Sequence, residues 1–526
     1  MPVRQSARHT CAIGGLIACV RVAATAGVSA ISASAIVLTS AGCAVGPDYK
    51  PPPPPAVTSL SPTPIHISRA GGPAQQAYVR GLALPQRWWE LFHCSSLNAV
   101  VARAIDGNPD LQAAQAALRA ADANTQAARG SFFPQIGASV NASSQRPDPT
   151  RAPGTSKSPY TVASAEVSVS YVLDVFGLNG RRVESLAAQA EAQHFELQAT
   201  YLTLTSKLAL AAIEEASLRE EIGSAEQSIA IAKEVLGVLK KHLEAHEATL
   251  LDVSGQEVAL AQFQQTLLAL QKRLLTNRDL ITALTGRFAG DGLEERFEFA
   301  CLRLPADLPL SLPSSIVQDR PDVRAAEANM HAATAEVGVA VASRLPQLNL
   351  SASAGASAVA KLASVSSPLL LWSIIGSAAQ TLFDGMSAEQ RQRAAEAGLD
   401  RAAALYRRTL IEAFQDIADV LQAIDVDHKA FVATEQGVRA AQTNLDMTRR
   451  LLKQGLASAL QLLSAQQNYA QAKSAHARAK AARLANTVLL FQALGGGLGK
   501  GNSRRNGQKA ARWVGRVTKV ANKKAQ

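Results

Sequence analysis

Few residues of this chain combine a type and a spacing that could do chemistry. Five cysteines are present: Cys11, Cys19, Cys43, Cys94 and Cys301. The first two lie in a leader-like start and Cys43 ends it. That leaves Cys94 and Cys301, with no metal-ligand spacing. They could pair in an oxidising compartment, which the sequence does not decide; two unpaired thiols are the expectation carried forward. The nine histidines and the acids show no metal-ligand spacing on a shared face. The run GGGLGKG from Gly495 looks like a phosphate loop, but it lacks a preceding strand and the Lys-Ser/Thr ending, so it reads as a helix-terminating turn. Trp88 and Trp89 could form a stacking platform; packing or interfacial anchoring of the N-terminal segment is the simpler reading. No catalytic constellation emerges. The chain is therefore not expected to be an enzyme, and no cofactor or metal is expected.

Cys43 is the residue with a definite modification chemistry. Arg4, Arg8 and Arg21 are the only formal charges before it, and the stretch from Ala23 to Ser40 is small and apolar. A basic start, an apolar run and a small-residue end make a secretory signal. The run is too short and alanine-rich for a membrane-spanning helix. Ser40-Ala41-Gly42-Cys43 resembles a bacterial lipobox, with Ser40 where leucine is usual. Cys43 is therefore expected to be acylated and to begin the mature chain. Ala44 follows it, where aspartate would signal retention in the inner membrane, so outer-membrane lipid is the expected anchor site.

The net charge of +11 suggests nucleic acid until it is located. Nine Lys and Arg residues, and no acid, fall between Gly499 and Gln526. With the three leader arginines set aside, the body is close to neutral. Charge in a tail says little about the fold it hangs from, and no nucleic-acid partner is expected.

The elements that must position any site come in two copies. NPDLQAAQAALRAADANTQAARGSFFPQIGAS begins at Asn108, and RPDVRAAEANMHAATAEVGVAVASRLPQLNLSAS begins at Arg320. At one constant offset Pro109 aligns with Pro321, Asp110 with Asp322, Pro134 with Pro346, Gln135 with Gln347 and Ser139 with Ser351. Gly177 answers Gly385, and Ser254 and Gln256 answer Ser464 and Gln466. Each copy opens with proline at the start of an alanine-rich helix, where the missing N–H costs little. After Pro134 or Pro346 the period drops to two: Ile136, Ala138, Val140 and Ala142 against Gln135, Gly137, Ser139 and Asn141, and Leu348, Leu350, Ala352 and Ala354 against Asn349, Ser351 and Ser353. A return strand follows each, clear from Ala163 to Leu173 and less regular around Trp372 to Leu382.

The period then returns to that of a helix. Leu197, Tyr201, Leu204, Leu208, Ala211, Glu215, Leu218 and Ile222 step by four and three, a heptad seam. Proline is absent from Arg181 to Ala245 and from Ser387 to Gln454, so two very long helices are predicted. Breaks at EAHEATLLD and KQGLASALQ turn each into a shorter return helix, Asp252 to Thr285 and Leu460 to Leu494.

Four strands with unlike faces cannot close in a membrane, where no water satisfies an open edge and the smallest common barrels have about eight strands. Other copies of the chain must complete the sheet. The motifs SAGC-AVGPDYKPP, WWELF, NPDLQAA, FPQIGAS, DVFG, RPDVRAAEA, LPQLNLSAS, LFDG and LGGG resemble, in order, the bacterial outer-membrane factor family, the TolC-like group, in its lipoprotein branch of NodT and OprM type. The resemblance covers Cys43 to Gly497. It implies a mainly α fold with a membrane β-barrel: a duplicated unit of long coiled-coil helices and a β-hairpin. A homotrimer would form a twelve-stranded outer-membrane barrel and a periplasmic helical tunnel. It implies an efflux channel that passively conducts small toxic compounds, with a periplasmic adaptor and an inner-membrane pump of the resistance-nodulation-division type as partners. A type I protein-secretion conduit of the same fold, or a structural coiled-coil lipoprotein, are the alternatives. The chain then divides into a signal at 1–42, a lipidated segment at 43–107, a first repeat at 108–300 with its hairpin at 134–176, a linker at 301–319, a second repeat at 320–497 with its hairpin at 346–383, and a basic tail at 498–526. The two helix breaks would form the periplasmic mouth. Asp252 matches the acid of the first copy, whereas Gln461 and Ser464 stand where the family often has aspartate. Asp252 alone would then charge the entrance, or cap its helix, or do both.

Overall fold

The computed structural model describes residues 44–53, 76–146, 159–310 and 320–497, apart from 83, 362, 363, 366 and 368. The leader, Cys43 and the basic tail lie outside the described residues. After a short strand β1 (Ala77–Arg80) and a 3-10 turn at Trp88–Phe92 come α1 (Ser95–Gly107) and α2 (Pro109–Arg129). The first hairpin is β2 (Gln135–Gln145) and β3 (Tyr160–Leu173), followed by α3 (Leu178–Glu244) and α4 (Leu250–Leu284). Strand β4 (Asp307–Leu310) leads to the second copy: α5 (Pro321–Ala342), β5 (Gln347–Lys361), β6 (Leu369–Ala379), α6 (Ser387–Lys453) and α7 (Ala459–Ala493). The less regular return strand therefore starts and ends three residues before the predicted Trp372 to Leu382. Among the described residues no helix is long and apolar enough to cross a membrane.

The two copies start and stop their helices with the same devices. Asn108 caps α2 by accepting from the Leu111 N–H, and its amide donates to the Leu284 carbonyl at the end of α4, 2.9 Å away. Arg320, at the matching place before Pro321, donates to the Ala493 carbonyl at the end of α7. Asp174 accepts from the N–H groups of Asn179 and Gly180, and Asp384 from that of Ala388, so a carboxylate stabilises the start of each long helix. Gly177 at φ 78° and Gly385 at φ 65° turn the chain from strand to helix in a left-handed conformation that favours glycine.

The four long strands form one antiparallel sheet in the order β2-β3-β5-β6. Its register collects most of the apolar residues on one side, with Leu369, Leu371 and Ile375 of β6 on the other. Ile136 pairs with Val169, Val169 with Ala352 and Ala352 with Ile374; Ala138, Val167, Ala354 and Trp372 make the adjacent row. The other side carries rows such as Gly137, Ser168, Ser353 and Ser373. Strands β2 and β6 are the two edges.

The main core is a girdle part-way down the helices. Trp88, Trp89 and Phe92 are fully buried there with Leu97, Leu208, Ile281, Phe297 and Phe491. Trp88 and Trp89 meet edge to face, which settles them as packing residues. The predicted heptad seam faces inward: Leu204, Leu208, Ala211, Glu215 and Leu218 are all buried. Within it Glu215 receives ion pairs from Arg219 and Arg278, which compensate its burial.

The expectation of two free thiols is corrected. Cys94 and Cys301 form a disulfide, with Cα atoms 5.1 Å apart across 207 residues of sequence. The start of α1 and the segment after α4 pack into the same girdle, and the Arg303 N–H donates to the Phe92 carbonyl beside the bond. Separation along the chain carries no signal of that proximity.

Candidate functional site

The two helix breaks are built to one plan. At the first, His246 turns left-handed and the chain re-enters a helix at Thr249. The Thr249 hydroxyl accepts from the Asp252 N–H, while the Asp252 carboxylate accepts from the Thr249 N–H at 3.0 Å and the Thr249 hydroxyl at 2.6 Å. This is a capping box. At the second break Gly455 turns left-handed and Ser458 begins α7. The Ser458 hydroxyl accepts from the Gln461 N–H, and the Gln461 amide oxygen accepts from the Ser458 N–H at 2.8 Å. Gln461 therefore does with a neutral amide what Asp252 does with a carboxylate. Geometry is shared between the copies and charge is not. Ser464, one turn on, is exposed. The Thr249 hydroxyl and N–H hold the Asp252 carboxyl below the usual carboxylate range.

Beneath the turns the two hairpins are tied together. Val235, Leu239, Val253, Leu445, Leu462, Ala465 and Tyr469 form a buried cluster with side chains from all four helices. Gln256 is 2% exposed; its amide donates to the Ala232 carbonyl at 3.1 Å and to Gln466, its own repeat equivalent, at 3.3 Å. Arg449 on α6 pairs with Glu234 on α3, and Lys473 on α7 donates to Gln227 on α3. The outer surface of the turns is apolar instead: Leu251 is 81% exposed and Leu460 73%, with Leu250 and Leu456 beside them. Sequence reasoning missed these leucines. Their signal is an apolar first helical turn, TLLD and SALQ, where solvent-facing polar residues are expected.

The third region is the arm that follows Cys43, itself outside the described residues. The Val45 N–H donates to the Phe176 carbonyl, at the end of the first hairpin. A Cβ on Gly46 would lie 2.5 Å from the Gly338 Cα, so two glycines make the crossing of arm and α5 possible. Arg181 pairs with Asp48 at 2.6 Å and donates to the Val45 carbonyl. Tyr49 stacks on His331 with ring centroids 4.2 Å apart and donates to Glu327. AVGPDYK is thus a docking motif. Burial, together with the adjacent Glu327 carboxylate, pushes the Tyr49 phenol well above its usual range.

Among the described residues no group of three or more His, Cys, Asp or Glu side chains is gathered to hold a metal. The arrangement positions helix ends, an arm and a two-faced sheet. Comparison with known proteins agrees with that scaffold. The chain is 27% identical over 450 residues to the pyoverdine export outer membrane protein OpmQ of Pseudomonas putida, across 84% of this chain and 95% of that protein. It is 28% identical over 462 residues to the probable efflux pump outer membrane protein TtgC of the same species, across 87% and 93%. The solved outer-membrane channel OprN superposes with a TM-score of 0.76 at 25% identity, covering 86% of this chain and 99% of that one. The family model described as outer membrane efflux protein matches residues 100–287 and 312–496, both repeats almost end to end. The chain belongs to the outer membrane efflux protein family, and it is a passive outer-membrane channel rather than an enzyme.

Proposed function

We propose that three copies of this chain close a twelve-stranded barrel continued by a helical periplasmic tunnel. Through it, small toxic compounds leave the cell, delivered by an inner-membrane pump of the resistance-nodulation-division type through a periplasmic adaptor. The observation that carries this reading is the four-stranded sheet with two unpaired edges and one exposed apolar face. Each edge strand leaves about ten backbone groups unpaired, at several kcal/mol per group in hydrocarbon. Pairing β6 of one copy with β2 of the next satisfies them. Ile136, Val140, Trp372 and Ile374 then face lipid, while the serine rows face water. The exposed leucines at the helix turns are the surface offered to the adaptor. Three copies of Asp252 give the entrance its only ring of charge from the two capping boxes, because Gln461 and Ser464 are neutral.

The arm supports a lipid anchor on Cys43. Ala44, which follows Cys43 in the chain, sits against Gly177, where β3 passes into α3. Acyl chains on Cys43 would enter the membrane at the periplasmic rim of the barrel. Relatives named for pyoverdine export and for efflux pumps favour small compounds over proteins as cargo. The test is deletion in cells that express the pump. Greater susceptibility across a panel of toxic compounds, restored by the wild-type chain, is expected. Unchanged susceptibility with loss of a secreted protein would make the chain a secretion conduit. Mass spectrometry of the mature N-terminus should find a diacyl or triacyl Cys43; an unmodified terminus elsewhere would remove the anchor.

A further inference from the structure

The sheet carries one carboxylate, and the register places it on the polar face. Glu166 sits midway along β3, paired with Ser139 of β2 on one side and Gly355 of β5 on the other. It shares its face with Ser164, Ser168 and Ser353, and with Leu371 at the end of its own row, opposite the face that holds Val167, Ala354 and Trp372. No other Asp or Glu occurs in β2, β3, β5 or β6. Glu166 is exposed and makes no ion pair among the described residues. Lys361 lies six residues along β5 from Gly355, about 20 Å away at the far end of the strand. The backbone is shaped around this position. A Cβ on Gly355 would fall 2.5 Å from the Ala165 carbonyl oxygen and 2.9 Å from the Glu166 Cα, so only glycine allows the two strands to approach so closely here.

We propose that Glu166 is a charge-selecting residue of the channel, a second acidic ring inside the barrel that is independent of the helix turns. This rests on the trimeric barrel described above. Twelve strands about 4.8 Å apart and tilted about 40° close a cylinder of about 12 Å radius. A glutamate pointing inward from that wall brings its carboxylate to within about 8 Å of the axis. That distance is less than the Debye length of about 10 Å in 0.1 M salt and well above the 3 Å of 1 M salt. The three carboxylates therefore act on everything in the bore at low salt and on little at high salt. The flanking Ser139 and Gly355 are too short to shield them, and Leu371, which completes the row on β6, carries no charge. Compounds carrying positive charge pass this level more readily than anions of the same size.

The test uses full-length trimers in planar bilayers, with reversal potentials measured across a KCl gradient. Glu166→Gln should lower the ratio of cation to anion permeability by about fivefold near 0.1 M and hardly at all at 1 M. The loss should add to that of Asp252→Asn in the double variant, because the two sites are far apart along the tunnel. Glu166→Cys should behave like the glutamine variant. A sulfonate-bearing thiosulfonate should restore its cation preference, and an ammonium-bearing one should reverse it. Wild type treated with the same reagents controls for other thiols. Channels that form in both variants yet keep wild-type selectivity at 0.1 M would overturn the role of Glu166 and leave the barrel standing. Wild-type protein that forms no channel would overturn both.

Discussion

At the scale of single residues, the capping box at the first helix break rests on local hydrogen bonds that do not consume the charge of Asp252. Asp252 holds the Thr249 N–H and hydroxyl, yet its carboxylate stays exposed enough to act on ions. Asp252→Asn keeps an acceptor in the capping box, as Gln461 does in the second copy, and removes only the charge. Cation preference in bilayer recordings should fall, most at low salt, with no loss of trimer. Selectivity unchanged from wild type at low salt would leave Asp252 as a helix cap alone. The sign of its pH dependence follows from its lowered pKa. The unfolded chain takes up a proton before the folded one, so the contribution to stability is complete above the usual carboxylate value near 3.8 and is lost as pH falls through the lower folded value. Asp252 therefore keeps its charge at neutral and mildly acidic pH.

His476 has a dependence of the same sign in a higher pH range. Burial between α6 and α7, where it meets Thr434 and the Phe431 ring, lowers its pKa below 6.5. Below that value the unfolded chain binds the extra proton, so stability falls as pH falls towards the folded value. His476→Gln should narrow the difference in thermal midpoint between pH 7.5 and pH 5.5. An unaltered difference would assign the acid sensitivity to other groups.

At the scale of elements, the hairpins are held by a few polar ties over a small apolar cluster. Gln256→Leu removes the donor to Ala232 and Gln466 and leaves buried polar groups without partners, at about 1–3 kcal/mol. The thermal midpoint should drop, and channel recordings should show more frequent large openings as the turns spread. Adding Gln466→Leu removes the second orphaned amide and should recover part of the midpoint. If the double variant were less stable than the sum of the singles, the pair would not be the tie described here. Much at this scale is legible along the chain. Pro109 and Pro321 mark two helix starts, alternation from Pro134 and from Pro346 marks two strands, and the proline-free runs mark the long helices. The capping boxes were less visible, because Thr249 and Ser458 stand among leucines that disguise a helix start.

At the scale of the whole molecule, the disulfide closes a loop of about 200 residues around the girdle. In the chain-entropy account such a loop is worth about 5 kcal/mol. Cys94→Ala with Cys301→Ala should lower the thermal midpoint of the detergent-extracted trimer, and a reducing agent should do the same to wild type. Equal midpoints for wild type and variant under oxidising conditions would show that the buried aromatic residues of the girdle suffice without the bond.

The sequence by itself determined the duplication, the alternation of helix and strand and the unlike faces of the strands. These are local properties, set by periods of two and of three to four residues and by where proline and glycine fall. Only the tertiary structure decided which partners meet. It set β3 against β5, so that Gly355 makes room for Glu166 on the polar face. It brought Cys94 to Cys301, laid AVGPDYK against Arg181 and His331, and joined Gln256 to Gln466 across the repeats. Each of these contacts links residues more than 100 apart in the chain. Pairing at that range is fixed by the packing of whole helices and sheets, and no short stretch of sequence records it.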